Sequence, residues 1–82
     1  MKIKVLGSGC AKCQQLEKIT REAVQDLGID AEVEHVKDMK KIMDYPILTT
    51  PGLVIDEKLV CFGKVPDKAE VTTYITTALA KE

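Results

Sequence analysis

The chain has 82 residues, a net charge of −1, 45% hydrophobic residues and 30% charged ones. A chain of this length buries only about 60% of its unfolded surface, so the expectation is a single domain over residues 1–82 with no lid domain or large substrate cavity. Acids and bases are interspersed, which excludes an electrostatic footprint for nucleic acid or an anionic membrane. The first apolar run is short and broken by Lys2 and Lys4, too little for a signal-peptide core or a membrane span. The expected compartment is therefore the cytoplasm. There, three cysteines in a short chain point to redox or metal chemistry rather than to a structural disulfide framework.

In chain order, Met1–Leu6 alternates Ile3 and Val5 against Lys2 and Lys4, the period of a strand. Gly7-Ser8-Gly9 turns the chain into a helix over Ala11–Leu27, whose apolar residues Cys13, Leu16, Ile19, Ala23, Val24 and Leu27 recur at three- and four-residue steps. Gly28 then stands at its C′ position. Ala31–Val36 reads as a second strand, with Glu32 and Glu34 on one face and Ala31, Val33 and His35 on the other. Asp38 caps a short helix carrying Met39, Ile42 and Met43, which must stop near Tyr45 because Pro46 follows. Leu53–Ile55 and Lys58–Phe62 form a hairpin about Asp56-Glu57. Pro66-Asp67, with Glu70 three residues on, opens a last helix that buries Val71, Tyr74, Ile75, Ala78 and Leu79. The order is βαβαββα. A right-handed crossover makes the first two strands parallel and the tight turn makes the last two antiparallel, which predicts an α/β fold with a four-stranded mixed sheet flanked by helices.

Cys10-Ala11-Lys12-Cys13 sits where the first strand turns into the first helix. Cysteines three apart in a first helical turn have Cα atoms about 5–6 Å apart, inside the window for a disulfide, so the pair can close and open with little backbone strain. The unpaired amides and positive dipole end of the helix lower the pKa of the first sulfur from about 8.5 toward or below 7, and the thiolate is the attacking species. The competing reading is metal handling. Structural zinc sites need three or four protein ligands, and no second Cys or His pair stands at ligand spacing. Copper carriers also place Cys-x-x-Cys between strand and helix, but they follow a βαββαβ order.

The strand leading into Gly-x-Gly-Cys-x-x-Cys, the long first helix, the Thr50-Pro51 dipeptide opening the third strand, the hairpin and Gly63 before the last helix together resemble the thioredoxin/glutaredoxin superfamily. The resemblance is closest to its small single-domain redox-active disulfide proteins of archaea and bacteria. It implies a thioredoxin-like fold and a small thiol–disulfide oxidoreductase that reduces protein disulfides. It also implies a cis Thr50-Pro51 bond facing the dithiol, where the backbone of Thr50 pairs with bound substrate. Cys10 would attack the substrate disulfide and Cys13, one turn deeper, would resolve the mixed disulfide. The Cys10–Cys13 couple serves in place of any cofactor or metal. The implied partners are oxidised proteins and a thioredoxin-reductase-like electron donor, met by a monomer. Lys12 places an ammonium beside the sulfurs and tunes them toward thiolate.

Gly9 and Lys4 stand where thioredoxins proper carry an aromatic residue and a buried acid, and a lone Gly63 followed by Lys64 stands where glutaredoxins usually carry Gly-Gly. Gly9 thus belongs with Lys12 among the residues that set the couple, a protein or reductase partner is favoured over glutathione, and the sequence names no proton acceptor for Cys13. Cys61, among Leu59, Val60 and Phe62, reads as a small buried hydrophobe. His35 reads as an exposed or satisfied ring with no acid partner indicated. Thr49 reads as a turn residue, and Met39 and Met43 as core filling or the lining of a shallow surface beside the dithiol.

Overall fold

Strand β1 (Lys2–Leu6) runs through the middle of a four-stranded sheet, with β2 (Glu32–Val36) on one side and β3 (Gly52–Ile55) and β4 (Lys58–Phe62) on the other, in the order β2-β1-β3-β4. This is a computed structural model, and it describes residues 1–7, 9 and 11–80. β1 and β2 pair in parallel from Lys2↔Glu32 to Leu6↔Val36, joined by helix α1 (Ala11–Leu27), while β1 pairs with β3, and β3 with β4, antiparallel. The β3–β4 turn is closed by Asp56 and Glu57, both at positive φ (49° and 70°), the backbone of a tight two-residue hairpin that matches strand twist. A register shift opposite Leu53/Val54 lets Val60 bulge, since Leu53 faces Cys61 and Val54 faces Leu59.

One face of the sheet is apolar throughout its centre and the other at the end that carries Leu6, Val36 and Val54, and helices cover both of these regions. On one, Ile3, Val5, Leu53 and Ile55 pack against Leu16 and Ala23 of α1 and Val71 and Ile75 of α3 (Lys68–Ala80). Each such fully buried aliphatic side chain contributes about 1.5–3 kcal/mol by leaving water. On the other face Leu6, Val36 and Val54 meet Ile42 of the four-residue helix α2 (Met39–Ile42), with Tyr45, Ile47 and Leu59 around them. Local signals start the helices as the sequence indicates. The Asp38 carboxylate accepts from Lys40 N at 3.0 Å, and the Asp67 carboxylate from Glu70 N at 2.8 Å. Gly28, at φ 64°, ends α1 with its amide donating to the Val24 and Gln25 carbonyls.

Three side chains depart from the expected apolar pattern. Thr20, rather than Ile19, occupies the fully buried position on α1, and its hydroxyl is satisfied by the Leu16 carbonyl at 2.8 Å, which removes the cost of burying it. Met39 and Met43 do not fill core. They are 55% and 74% exposed, because a helix of four residues turns only Ile42 inward.

Candidate active site around Cys13 and Thr50-Pro51

The segment from β1 into α1 carries the dithiol motif. Cys10 lies outside the described residues; Cys13 is described, fully buried in the first turns of α1, and disulfide-bonded. Its sulfur lies hard against Gly7. A Cβ built on Gly7 would overlap Cys13 Sγ outright and come within 3.0 Å of Cys13 Cβ, so only glycine admits the sulfur here. Gly7 is itself pinned, its amide donating to the Val36 carbonyl at 3.0 Å. The same built Cβ would stand 3.9 Å from Thr50 Cβ, so Cys13 and Thr50 flank Gly7.

The Thr50–Pro51 peptide is cis, Pro51 is buried and Thr50 is exposed. Pro51 leads straight into β3, and its carbonyl accepts from Gly63 N at 2.8 Å, which ties the turn before β3 to the end of β4. Thr49 is packed into the same junction: a Cβ on Gly63 would sit 2.6 Å from its Oγ1. Beside Thr50, a shallow groove of about 520 Å³ is lined by Met39, Met43, Ile47 and Leu48, with Leu48 86% exposed. The methionines therefore line a surface at the turn before Pro51.

Gly9 adopts φ 93°, and its carbonyl accepts from Gln14 Nε2 at 3.2 Å, which folds the loop back on α1. Lys12 is exposed. A second lysine approaches the loop, since the Lys37 Cε lies 4.0 Å from where a Gly9 Cβ would stand. Nothing in the spacing of Lys37 from the cysteines announces this, because β2 brings it there through parallel pairing with β1.

His35 is satisfied, one of its two sequence readings, but by an acid partner that the sequence does not indicate. Its Nδ1 lies 2.7 Å from Glu17 Oε1 and its Nε2 3.1 Å from the Gly7 carbonyl, with only 10% of the ring exposed. Glu17 is one turn beyond Cys13 on α1, and the pairing was invisible in sequence because His35 comes from the neighbouring strand. Burial pulls the Glu17 carboxyl upward, but hydrogen bonds from Arg21 and His35 outweigh it and hold the group below the usual carboxylate range. Lys4, in the position of the acid of thioredoxins proper, faces away from Cys13. Its ammonium donates to Glu57 at 2.9 Å and Tyr45 at 3.0 Å, and these bonds raise its pKa and tie β1 to the turns on the far face. Cys61 is a free, half-buried cysteine whose thiol is pushed up by burial, against a smaller downward pull from Lys64. Among the described residues no group of three or more His, Cys, Asp or Glu is placed to hold a metal ion, and no helix is long and apolar enough to cross a membrane.

A family model described as a thioredoxin domain matches residues 1–76. The chain is 49% identical over 71 residues to a thioredoxin of Methanothermobacter thermautotrophicus, covering 87% of this chain and 92% of that protein. It is 39% identical over 69 residues to a thioredoxin of Methanocaldococcus jannaschii, covering 84% and 79%. These matches favour the redox reading of the chain and lend nothing to metal handling. The mixed sheet, the crossover helix and the extent of these matches agree: the chain belongs to the thioredoxin family of thiol–disulfide oxidoreductases.

Proposed function

We propose that the oxidoreductase activity runs through a Cys10–Cys13 dithiol and is directed at disulfides of other proteins. The observation that carries this reading is the setting of Cys13: buried, disulfide-bonded, seated on Gly7 and flanked by Thr50 of the cis Thr50–Pro51 turn. A substrate disulfide cannot reach a sulfur with no exposed surface, so Cys10 takes the attacking role. The Cys10 thiolate displaces one substrate sulfur and forms a mixed disulfide. Cys13, as thiolate, then attacks Cys10 and releases the second substrate sulfur, leaving a Cys10–Cys13 disulfide and a reduced substrate. The exposed Thr50 offers its backbone to the substrate chain, with Pro51 fixing its direction. The apolar groove beside Thr50 suits a polypeptide better than glutathione, whose charged ends ask for charged partners.

The working unit is one thioredoxin-like domain over residues 1–82, acting as a monomer without a further cofactor. Its disulfide is returned to the dithiol by a thioredoxin-reductase-like donor. The cytoplasm is the compartment that keeps such a couple supplied with electrons. The test is reduction of insulin disulfides by the pre-reduced protein, with intact mass and thiol count before and after turnover. Two thiols lost per disulfide reduced is the expected stoichiometry. Turnover without loss of the Cys10 and Cys13 thiols would overturn the reading.

Lys12 and Gly9 set the poise in this reading. Gly9 leaves the loop open where an aromatic ring would cover it, and the exposed Lys12 ammonium adds its charge to the helix N-terminus. Lys12→Gln is expected to reduce the thiolate fraction of Cys10 by about twofold to tenfold at low ionic strength, with a smaller effect at high salt. Thiolate absorbance followed against pH checks it. An unchanged titration at low salt would show that the backbone amides act alone.

A further inference from the structure

We propose that the His35–Glu17 pair is a proton-linked tuner of the dithiol: a doubly protonated imidazole, held between the Glu17 carboxylate and the Gly7 carbonyl, sets the charge behind Cys13. The inference rests on Cys10–Cys13 being the redox couple.

Both ring nitrogens of His35 face acceptors. Nε2 is 3.1 Å from the Gly7 carbonyl, which can only accept, so Nε2 carries a hydrogen. Nδ1 is 2.7 Å from Glu17 Oε1. That contact needs a second hydrogen, on the ring or on the carboxyl. Arg21, 2.9 Å from the other Glu17 oxygen, favours the ionised carboxylate, as does its lowered pKa, which leaves the hydrogen on the ring. In that state both ring donors are used in a site where 10% of the ring is exposed, and neither acceptor is left without a proton donor.

The pair shares Gly7 with the resolving sulfur, that of Cys13. Gly7, the acceptor for Nε2, is the residue against which Cys13 Sγ packs. Glu17 is four residues along α1 from Cys13, on the same helical face. The charged groups around His35 are few. From α1 come Glu17 and Arg21, with Lys18 and Glu22 farther along the same outer groove. Arg21 also donates to the Val33 carbonyl at 3.2 Å. From β1 the side chains on this face are the apolar Ile3 and Val5. Lys37 lies at the end of β2 with its Cε toward Gly9. Lys4 and Glu34 line the opposite face of the sheet. Protonation of His35 therefore moves the Arg21–Glu17–His35 group from net zero to +1.

Reduction of the disulfide by two electrons with uptake of one proton leaves one thiolate in the couple, and the share of that charge on Cys13 Sγ lies against Gly7, whose carbonyl accepts from His35. A positive His35 stabilises that charge, so it favours the reduced protein; by linkage, reduction must favour the protonated ring to the same degree. One charge acting over several ångströms of protein is expected to be worth on the order of threefold to tenfold in either equilibrium. Glu17 and His35 touch no substrate in this scheme and act through Cys13, as positioning and tuning residues.

Two measurements decide it. Long-range proton–nitrogen spectra of the His35 ring in the intact protein, at matched pH between about 5 and 8, are expected to show about a threefold to tenfold higher ratio of doubly to singly protonated ring in the reduced than in the oxidised protein. An equal ratio in the two states overturns the proposal. In the second, the reduction equilibrium constant of His35→Gln against a dithiol buffer is expected to fall about threefold to tenfold below the parent's at the pH where thiolate and protonated ring coexist, and to approach it at lower pH, where the thiolate is protonated, and at higher pH, where the ring is neutral. A deficit that is the same at every pH, as a purely structural role would produce, overturns it. Absence of a reversible couple in the parent protein would instead remove the dithiol reading beneath it, and this inference with it.

Discussion

Cys10→Ser is expected to reduce no insulin disulfide above the buffer-thiol background, while Cys13→Ser accumulates a stable mixed disulfide through Cys10. The asymmetry follows from access. Cys13 has no exposed surface and lies against Gly7, so it can react only with a sulfur brought to it on the same chain. With serine at position 10 the attacking thiolate is lost, since a serine hydroxyl is not a nucleophile at neutral pH. Without Cys13 the first exchange still proceeds, but the resolving step is lost and the substrate stays attached. Cys61→Ser serves as control and is expected to leave the rate unchanged, because burial pushes that thiol up and keeps it protonated. Non-reducing gels and intact mass after incubation with oxidised substrate read all three variants. Residual turnover by Cys10→Ser, or a mixed disulfide formed through Cys13, would reverse the assignment.

Gly7→Ala is expected to be the most damaging small substitution near the site, costing about 1–3 kcal/mol of stability or more and slowing disulfide reduction. The added methyl overlaps Cys13 Sγ, and neither partner has room to yield. Gly7 is held by its bond to Val36 and by the His35 ring, and Cys13 is held by the packing of α1 on the sheet. In a Cys13→Ala background much of the penalty should disappear, because the overlapping sulfur is gone and only a 3.0 Å contact with Cβ remains. Chemical denaturation of the single and double variants measures that coupling, which should reach about 0.5–3 kcal/mol for residues in contact. Additive effects would show that the close approach of Gly7 to the sulfur carries no energy. By contrast, a Cβ at Gly52 would overlap the tip of the Ile47 side chain, with Leu59 Cδ1 at an ordinary 3.5 Å, and the end of a flexible side chain can yield by a rotamer change.

Most of the elements around the Cys-x-x-Cys motif are legible in the chain. The 3.6-residue period of Cys13, Leu16, Ala23 and Leu27, the two-residue alternation of Ile3 and Val5, and the caps at Asp38 and Asp67 are local properties, so element type and order follow from neighbouring residues. Thr20 escaped that reading because a threonine can bury itself by bonding to its own helix, and periodicity does not register a polar residue that is satisfied locally. Met39 and Met43 follow the second of their two readings, lining a shallow surface, because a four-residue helix has no full buried stripe to impose.

Sequence by itself determined the strand and helix content, the placement of Cys10-x-x-Cys13 at the β1–α1 junction, and the Thr50-Pro51 dipeptide at the head of β3. Tertiary structure alone decided the strand order that centres β1, the seating of Cys13 on Gly7 beside Thr50, and the meeting of His35 with Glu17 and the Gly7 carbonyl. The division has one physical cause. Periodicity and capping are energies between residues a few positions apart, whereas these contacts join residues brought together only when β2 pairs with β1 and α1 packs across them.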